Sequence, residues 1–178
     1  MEIVLYPNRQ EYDILLRRPH KDAADLDAIV SAVLNDVRQR GDEAVLEYEE
    51  KFDKVNLDTL IVSEEEISEA EFLVNESLKQ AIQLAHTNIS RFHDAQRLTA
   101  VEVETAPGVK CWQKSVAIEK VGLYIPGGTA PLFSTVLMLA TPAKIAGCKE
   151  IVLCSPPSKQ GKLHPAILYA AKVAGVKR

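Results

Sequence analysis

No stretch of this 178-residue chain is apolar for long enough to cross a bilayer, and Met1 to Pro7 have neither the basic lead nor the apolar length of a secretory signal. The chain therefore reads as cytoplasmic, with no membrane partner. Cysteine is scarce: Cys111, Cys148 and Cys154 are an odd set in a chain with a full apolar complement. That argues against a disulfide framework and for free thiols in a reducing compartment, each buried as a small apolar residue. Charge of one sign is not concentrated anywhere, since 21 basic and 25 acidic side chains are interspersed to a net −4. Nothing marks a nucleic-acid partner. Metal-ligand spacing is missing as well: His86 and His93 are seven residues apart on one expected helix, about 10.5 Å of rise and too far to chelate as an i, i+4 pair would. They read as surface or capping histidines, while His20 and His164, beside Pro19 and Pro165, suit turns at element starts.

What is present is a hydrophobic fraction of 47% against 26% charge, enough for one sizeable core. From Asp25 to Gln96 the apolar period is helical. Leu26, Ile29, Val30, Val33, Leu34 and Val37 share one face, Gly41 breaks the run, and Asp42 can cap a second helix that carries Val45, Tyr48 and Phe52. Residues 53–60 read as a loop and a short edge strand. Ser63 and Glu66 have the spacing of a capping box, with the acids Glu64, Glu65 and Glu66 offsetting the dipole of the helix they start. Leu78, Ile82, Ala85, Ile89 and Phe92 then predict a long amphipathic helix reaching about Gln96.

From Val101 the period becomes two, with a turn at Pro107-Gly108 and a second extended stretch around Lys110 to Ile118. A strand at Val121 to Ile125, a helix from about Leu132 to Ala146, a strand at Glu150 to Cys154 and a helix from about His164 to Ala174 follow. This β-α-β-α run implies a parallel sheet with right-handed crossovers. The expected fold is α/β: a mostly helical N-terminal part, then the first half of a Rossmann-like parallel-sheet domain that is incomplete at the C-terminus. The domains read as an arm over 1–20, a helical segment with short strands over 21–120, and an incomplete nucleotide-binding domain over 121–178. The chain stops at Val176-Lys177-Arg178, where a turn into a third strand is expected.

The segment Tyr124-Ile125-Pro126-Gly127-Gly128 carries the functional signal. A strand delivers Tyr124 to its carboxyl end, Gly127 and Gly128 let a ligand approach the backbone, and a helix amino terminus follows with free donors. Open α/β sheets bind ligands at that place. The pattern is neither the Gly-x-Gly-x-x-Gly fingerprint nor a Walker loop. By residue type alone, Tyr124 also reads as a strand-end aromatic capping a core, and Ser134 reads as a helix N-cap as readily as a phosphate contact.

The run from Val121 through Ala146-Gly147-Cys148 and on to Ile151-Val152-Leu153-Cys154-Ser155-Pro156-Pro157 resembles the histidinol dehydrogenase family. Upstream, Val37 to Ala44 with Tyr48 and Phe52, Asn88-Ile89, Phe92-His93, Gln96, and Pro107-Gly108-Val109 with Cys111 are similar to it too. The resemblance covers the chain from about Asp25 onward. It implies a cytoplasmic homodimer that uses zinc and two successive NAD molecules to oxidise L-histidinol to L-histidine, the last step of histidine biosynthesis. It also implies that Tyr124, with Pro126, Gly127 and Gly128, belongs to the NAD site. The family's zinc ligands and its acid/base Glu-His pair have no counterpart in this chain, so no catalytic or metal residue is assigned and the chain alone is expected to be inactive. A non-catalytic small-molecule-binding or dimerisation module of the same fold is the competing reading. An enzyme of the aldehyde dehydrogenase type would need a cysteine nucleophile in a recognisable setting, which none of the three provides.

Overall fold

The computed structural model describes residues 4–18, 24–128 and 130–177. His20 lies outside the described residues. The chain forms two compact units, Met1–Ala44 and Val45–Arg178.

In the first unit, helix α1 (Tyr12–Leu15) is a single turn. A turn precedes it, in which Asn8 Oδ1 accepts from the backbone N–H groups of Gln10 and Glu11 at 3.0 and 3.2 Å. Helix α2 (Ala24–Arg40) carries the expected apolar stripe, with Leu26, Ile29, Val30 and Leu34 exposed. It stops at Gly41, whose φ of +62° is left-handed and inexpensive only for glycine. Helix α3 (Asp42–Tyr48) begins at once, so Asp42 is its first helical residue rather than a cap. Its carboxylate still lies in the first turn, where it favours the helix dipole.

The second unit continues from α3 into a π-helical turn at Glu49–Asp53, closed by Lys54 in the left-handed region. Tyr48 and Phe52 stack with centroids 5.6 Å apart. No edge strand forms over the loop that follows. Instead Thr59 Oγ1 accepts from the Ile61 N–H at 3.2 Å, a local turn that competes with an extended ladder. Helix α4 (Glu64–Leu73) opens on the complete Ser63/Glu66 capping box, as its spacing predicted. Helix α5 (Glu76–Asp94) is capped by Asn75, whose Oδ1 accepts from Leu78 N–H at 2.8 Å. Ile82 is buried, and Leu78, Ala85 and Ile89 pack against the same core. Phe92 departs from the stripe at 63% exposure and lies edge-on to the His93 ring instead.

Strands β1 (Glu102–Ala106) and β2 (Val109–Trp112) pair antiparallel about Pro107-Gly108, with every residue of both strands exposed. The second stretch ends at Trp112, short of Ile118. The expected β-α-β-α run then appears as β3 (Lys120–Tyr124), α6 (Phe133–Ala146), β4 (Glu150–Cys154) and α7 (Pro165–Val173). β3 and β4 pair in parallel register from Lys120 opposite Glu150 to Tyr124 opposite Cys154. Among the described residues this parallel sheet has two strands. His164 caps α7, its Nδ1 accepting from Ala166 N–H at 3.1 Å, which is the turn role its place beside Pro165 suggested.

The core lies between α5, α6 and α7, around Ile82, Val136, Leu137, Ala140, Ile167 and Ala170. Gln83 Nε2 donates to Tyr169 Oη at 3.0 Å, and Lys172 Nζ pairs with Glu71 Oε2 at 2.5 Å, tying α5 and α4 to α7. Leu123 and Leu153 bring the sheet onto this core. The helical part and the parallel β-α-β part therefore share one hydrophobic interior within the second unit.

Candidate functional site

Along β3 burial alternates: Val121 and Leu123 are half-buried, while Gly122 and Tyr124 are exposed on the other face. Tyr124 is 64% exposed, so its ring does not cap the core. Ile125 behind it is fully buried, and its N–H donates to Cys154 C=O at 2.8 Å, fixing the point where the chain leaves the sheet. Tyr124 is thus held at the carboxyl end of a strand with its aromatic face free. Pro126, Gly127 and Gly128 follow as exposed loop.

The two glycines differ in their surroundings. A Cβ on Gly127 would stand 2.7 Å from Cγ of Pro156, so the loops after β3 and β4 press together there. The close approach that Gly127 permits is to the protein itself. Nothing lies within 4 Å of a Cβ placed on Gly128, and that backbone is open to a ligand. Beyond it, α6 starts at Phe133 with Leu132 as N-cap, without a capping side chain or an acid in its first turn. Ser134 is exposed within that turn and is not the N-cap, because the helix begins two residues earlier than a serine cap requires. The first-turn amides and the positive end of the dipole at this terminus, a few residues after the Gly-Gly loop, suit an anionic group.

The thiols depart from the expected burial. Cys111 and Cys154 are exposed and Cys148 is intermediate. Cys111 sits on a hairpin open on both faces, and Cys154 ends β4 opposite Tyr124. His86 is half-buried, with Nε2 3.5 Å from Ser90 Oγ, and His93 Nδ1 lies 2.7 Å from Gln96 Oε1. Among the described residues no three His, Cys, Asp or Glu side chains are grouped to hold a metal ion. The donor set here does not fit a zinc site. No described helix is long and apolar enough to cross a membrane.

A second concavity was not legible from motifs. It lies between residues 56–62 and residues 153–163, and Glu49 lines it. Burial, and then the neighbouring Asp53 carboxylate, hold the Glu49 carboxyl above its ordinary range. Only the turn residues Pro157 and Gly161 hint at this concavity in the sequence, and they do not say what their loop meets.

The histidinol dehydrogenase family model matches residues 16–178. The histidinol dehydrogenase of Bacteroides thetaiotaomicron is 58% identical over all 178 residues, which cover 42% of that protein. That of Escherichia coli K12 is 51% identical over 167 residues, 94% of this chain and 38% of the relative. The crystal structure of histidinol dehydrogenase from Elizabethkingia anophelis superposes with a TM-score of 0.91 at 48% identity, covering 97% of this chain and 40% of that one. The chain thus spans about two fifths of the length of these relatives. Sequence identity, family model and superposition agree over nearly every residue, and the chain belongs to the histidinol dehydrogenase family.

Proposed function

We propose that this chain supplies one wall of the dinucleotide site of an NAD- and zinc-dependent histidinol dehydrogenase that oxidises L-histidinol to L-histidine in the cytoplasm as a homodimer. In this reading residues 121–178 are the first half of the nucleotide-binding domain, residues 21–120 are a helical segment with short strands, and residues 1–20 are an arm. The observation that carries the reading is the exposed Tyr124 ring at the carboxyl end of β3, beside an open backbone at Gly128 and an uncapped helix terminus.

Tyr124 offers a flat apolar surface against which a planar ring of the cofactor can stack. Pro126 stiffens the exit from the strand, Gly127 lets the two loops close on each other, and Gly128 with the first turn of α6 receives the phosphates. When bound, NAD supplies the hydride acceptor. Zinc and the proton-transferring groups are assigned outside these residues, so no step is derived through them.

The test is a titration of the 178-residue chain with NAD, followed by amide resonances. Tyr124, Gly128 and the first turn of α6 should shift together and saturate. Tyr124→Ala should weaken binding roughly tenfold, given about 1–3 kcal/mol for an aromatic stack on a base, with no loss of melting temperature. Absence of saturable shifts at these residues refutes the site. Zinc-dependent formation of NADH from histidinol by this chain alone would refute the division of labour.

A further inference from the structure

The Gly-Gly loop is held from outside. Gly127 does not have the left-handed φ that would demand glycine, so its backbone admits a side chain. What excludes one is Pro156: a Cβ on Gly127 would stand 2.7 Å from the proline Cγ, 3.7 Å from its Cβ and 3.9 Å from its Cδ. The half-buried ring fills the place that a side chain at 127 would take. At Gly128, one residue on, nothing lies within 4 Å of a Cβ. Neither glycine backbone is hydrogen-bonded to another described residue, so the Pro156 ring is the contact that fixes this stretch.

A residue can hold another only if it is itself held. The strand before Pro156 ends at Cys154, whose C=O accepts from Ile125 N–H at 2.8 Å, and this register sets the ring against Gly127. Pro156 and Pro157 in succession each fix φ and restrict the residue before them. The loop then closes on itself, Ser158 N–H donating to Lys162 C=O at 3.0 Å and Gly161 N–H to Ser158 C=O at 2.9 Å. Gly161, at φ +75°, tucks against the segment after the π-helical turn, where a Cβ would stand 3.3 Å from Leu57 Cδ2 and 3.8 Å from Cγ1 of the buried Val55. His164 ends the loop as the cap of α7, whose Ile167 and Ala170 lie in the core.

We propose that Pro156 is a positioning residue for the nucleotide: its ring holds Gly127 so that the Gly128 backbone is already set to receive the phosphates. This rests on the dinucleotide reading above and adds to it a residue that acts through Gly127 rather than on the ligand. A loop ordered in advance loses less conformational freedom on binding. Removing Cγ and Cδ would leave 3.7 Å where 2.7 Å now separates the ring from the Cβ position. A gap of about 1 Å forfeits up to half of the contact attraction, and the loop is freed.

The test compares Pro156→Ala and the double variant Pro156→Ala/Gly127→Ala with the unaltered chain, by amide order parameters without ligand and by NAD titration. Gly127 and Gly128 should show the order of rigid backbone, about 0.85, in the unaltered chain and fall toward about 0.6 in Pro156→Ala. NAD affinity should fall with them by roughly three- to tenfold, as a loosened loop must be ordered on binding. In the double variant the methyl at 127 refills the gap, 3.7 Å from the Cβ that remains at 156. Order at Gly128 and NAD affinity should then both rise above their Pro156→Ala values, a rescue that general destabilisation would not give. Retained order in Pro156→Ala, or a double variant that recovers neither order nor affinity, would overturn the proposal. Equal NAD affinity in Pro156→Ala and the unaltered chain would overturn the positioning role alone and leave the nucleotide site standing. No saturable response from the unaltered chain would refute the nucleotide reading and the positioning role with it. If Pro156→Ala does not fold, the double variant decides: a rigid Gly128 supports the role and a disordered one counts against it.

Discussion

Replacing Ile82 by alanine tests whether α5 and the β-α-β segment share one interior. Ile82 is 1% exposed and belongs to the same cluster as Val136 and Leu137 of α6 and Ile167 of α7. Removing its outer carbons loses their transfer free energy and leaves a cavity that α6 and α7 only partly close, a cost of about 2–5 kcal/mol. At about 3 kcal/mol, and about 2–4 °C per kcal/mol for a chain of this size, the melting temperature should fall by roughly 6–12 °C. Phe92→Ala, three stripe positions further along the same helix, should cost under about 0.5 kcal/mol because that ring is 63% exposed. Thermal unfolding followed at the helical ellipticity gives both values. Because Ile82 and α6 lie in one core, the Ile82→Ala transition should remain single and cooperative. Equal losses for the two variants would refute the burial argument. A biphasic melt in which α6 and α7 unfold separately from α5 would refute the shared interior.

The paired glycines should separate stability from binding. Gly127→Ala drives a Cβ into the Pro156 ring at 2.7 Å and should cost about 1–3 kcal/mol by overpacking. Gly128→Ala, with open space around it, should leave the melting temperature unchanged while weakening NAD binding, and the reverse order in melts and titrations would sink this assignment. Glu49 should make stability depend on pH in the direction opposite to an ordinary ion-paired carboxylate. Its folded value is raised above 4.5 by burial and then by Asp53, so folding favours the protonated form. That contribution is complete below the unfolded value and is lost as pH rises through the folded one. Glu49→Gln should therefore raise the melting temperature at pH 7, with the gap closing at about pH 4 and below; a variant no more stable at pH 7 contradicts it. Finally, a disulfide reagent should titrate two fast thiols, Cys111 and Cys154, and one slower, Cys148, and three slow thiols would contradict their exposure.

Features encoded locally were readable from the chain. The capping box at Ser63 and Glu66, the stop at Gly41, the cap at His164 and the turn at Pro107-Gly108 each depend on residues within about one turn of one another, so residue type and spacing suffice. The elements that failed needed distant information. An edge strand near Leu60 requires a partner strand, and among the described residues none pairs there, so Thr59 closes a turn instead. Phe92 keeps the helical period yet lies outward, because periodicity says which residues share a face and not how far along the helix that face is covered. The cysteines were assigned to the interior by their average behaviour. Cys111 and Cys154 occur where a hairpin and a sheet face are open.

The site divides along the same line. The place of Tyr124 at a strand end was readable because a strand, a proline and two glycines in succession dictate a tight exit there, and that geometry is local, whereas its assignment to a nucleotide site came from the family resemblance. The distinct surroundings of Gly127 and Gly128 were not, since the difference comes from Pro156, which reaches Gly127 only because β4 pairs with β3 in one register. Shifting that register by one residue would displace Pro156 from Gly127 and turn Cys154 to the opposite face from Tyr124. The register that places Cys154 beside Tyr124 thus also closes the two loops on each other, and a sequence motif confined to the first loop carries no record of it.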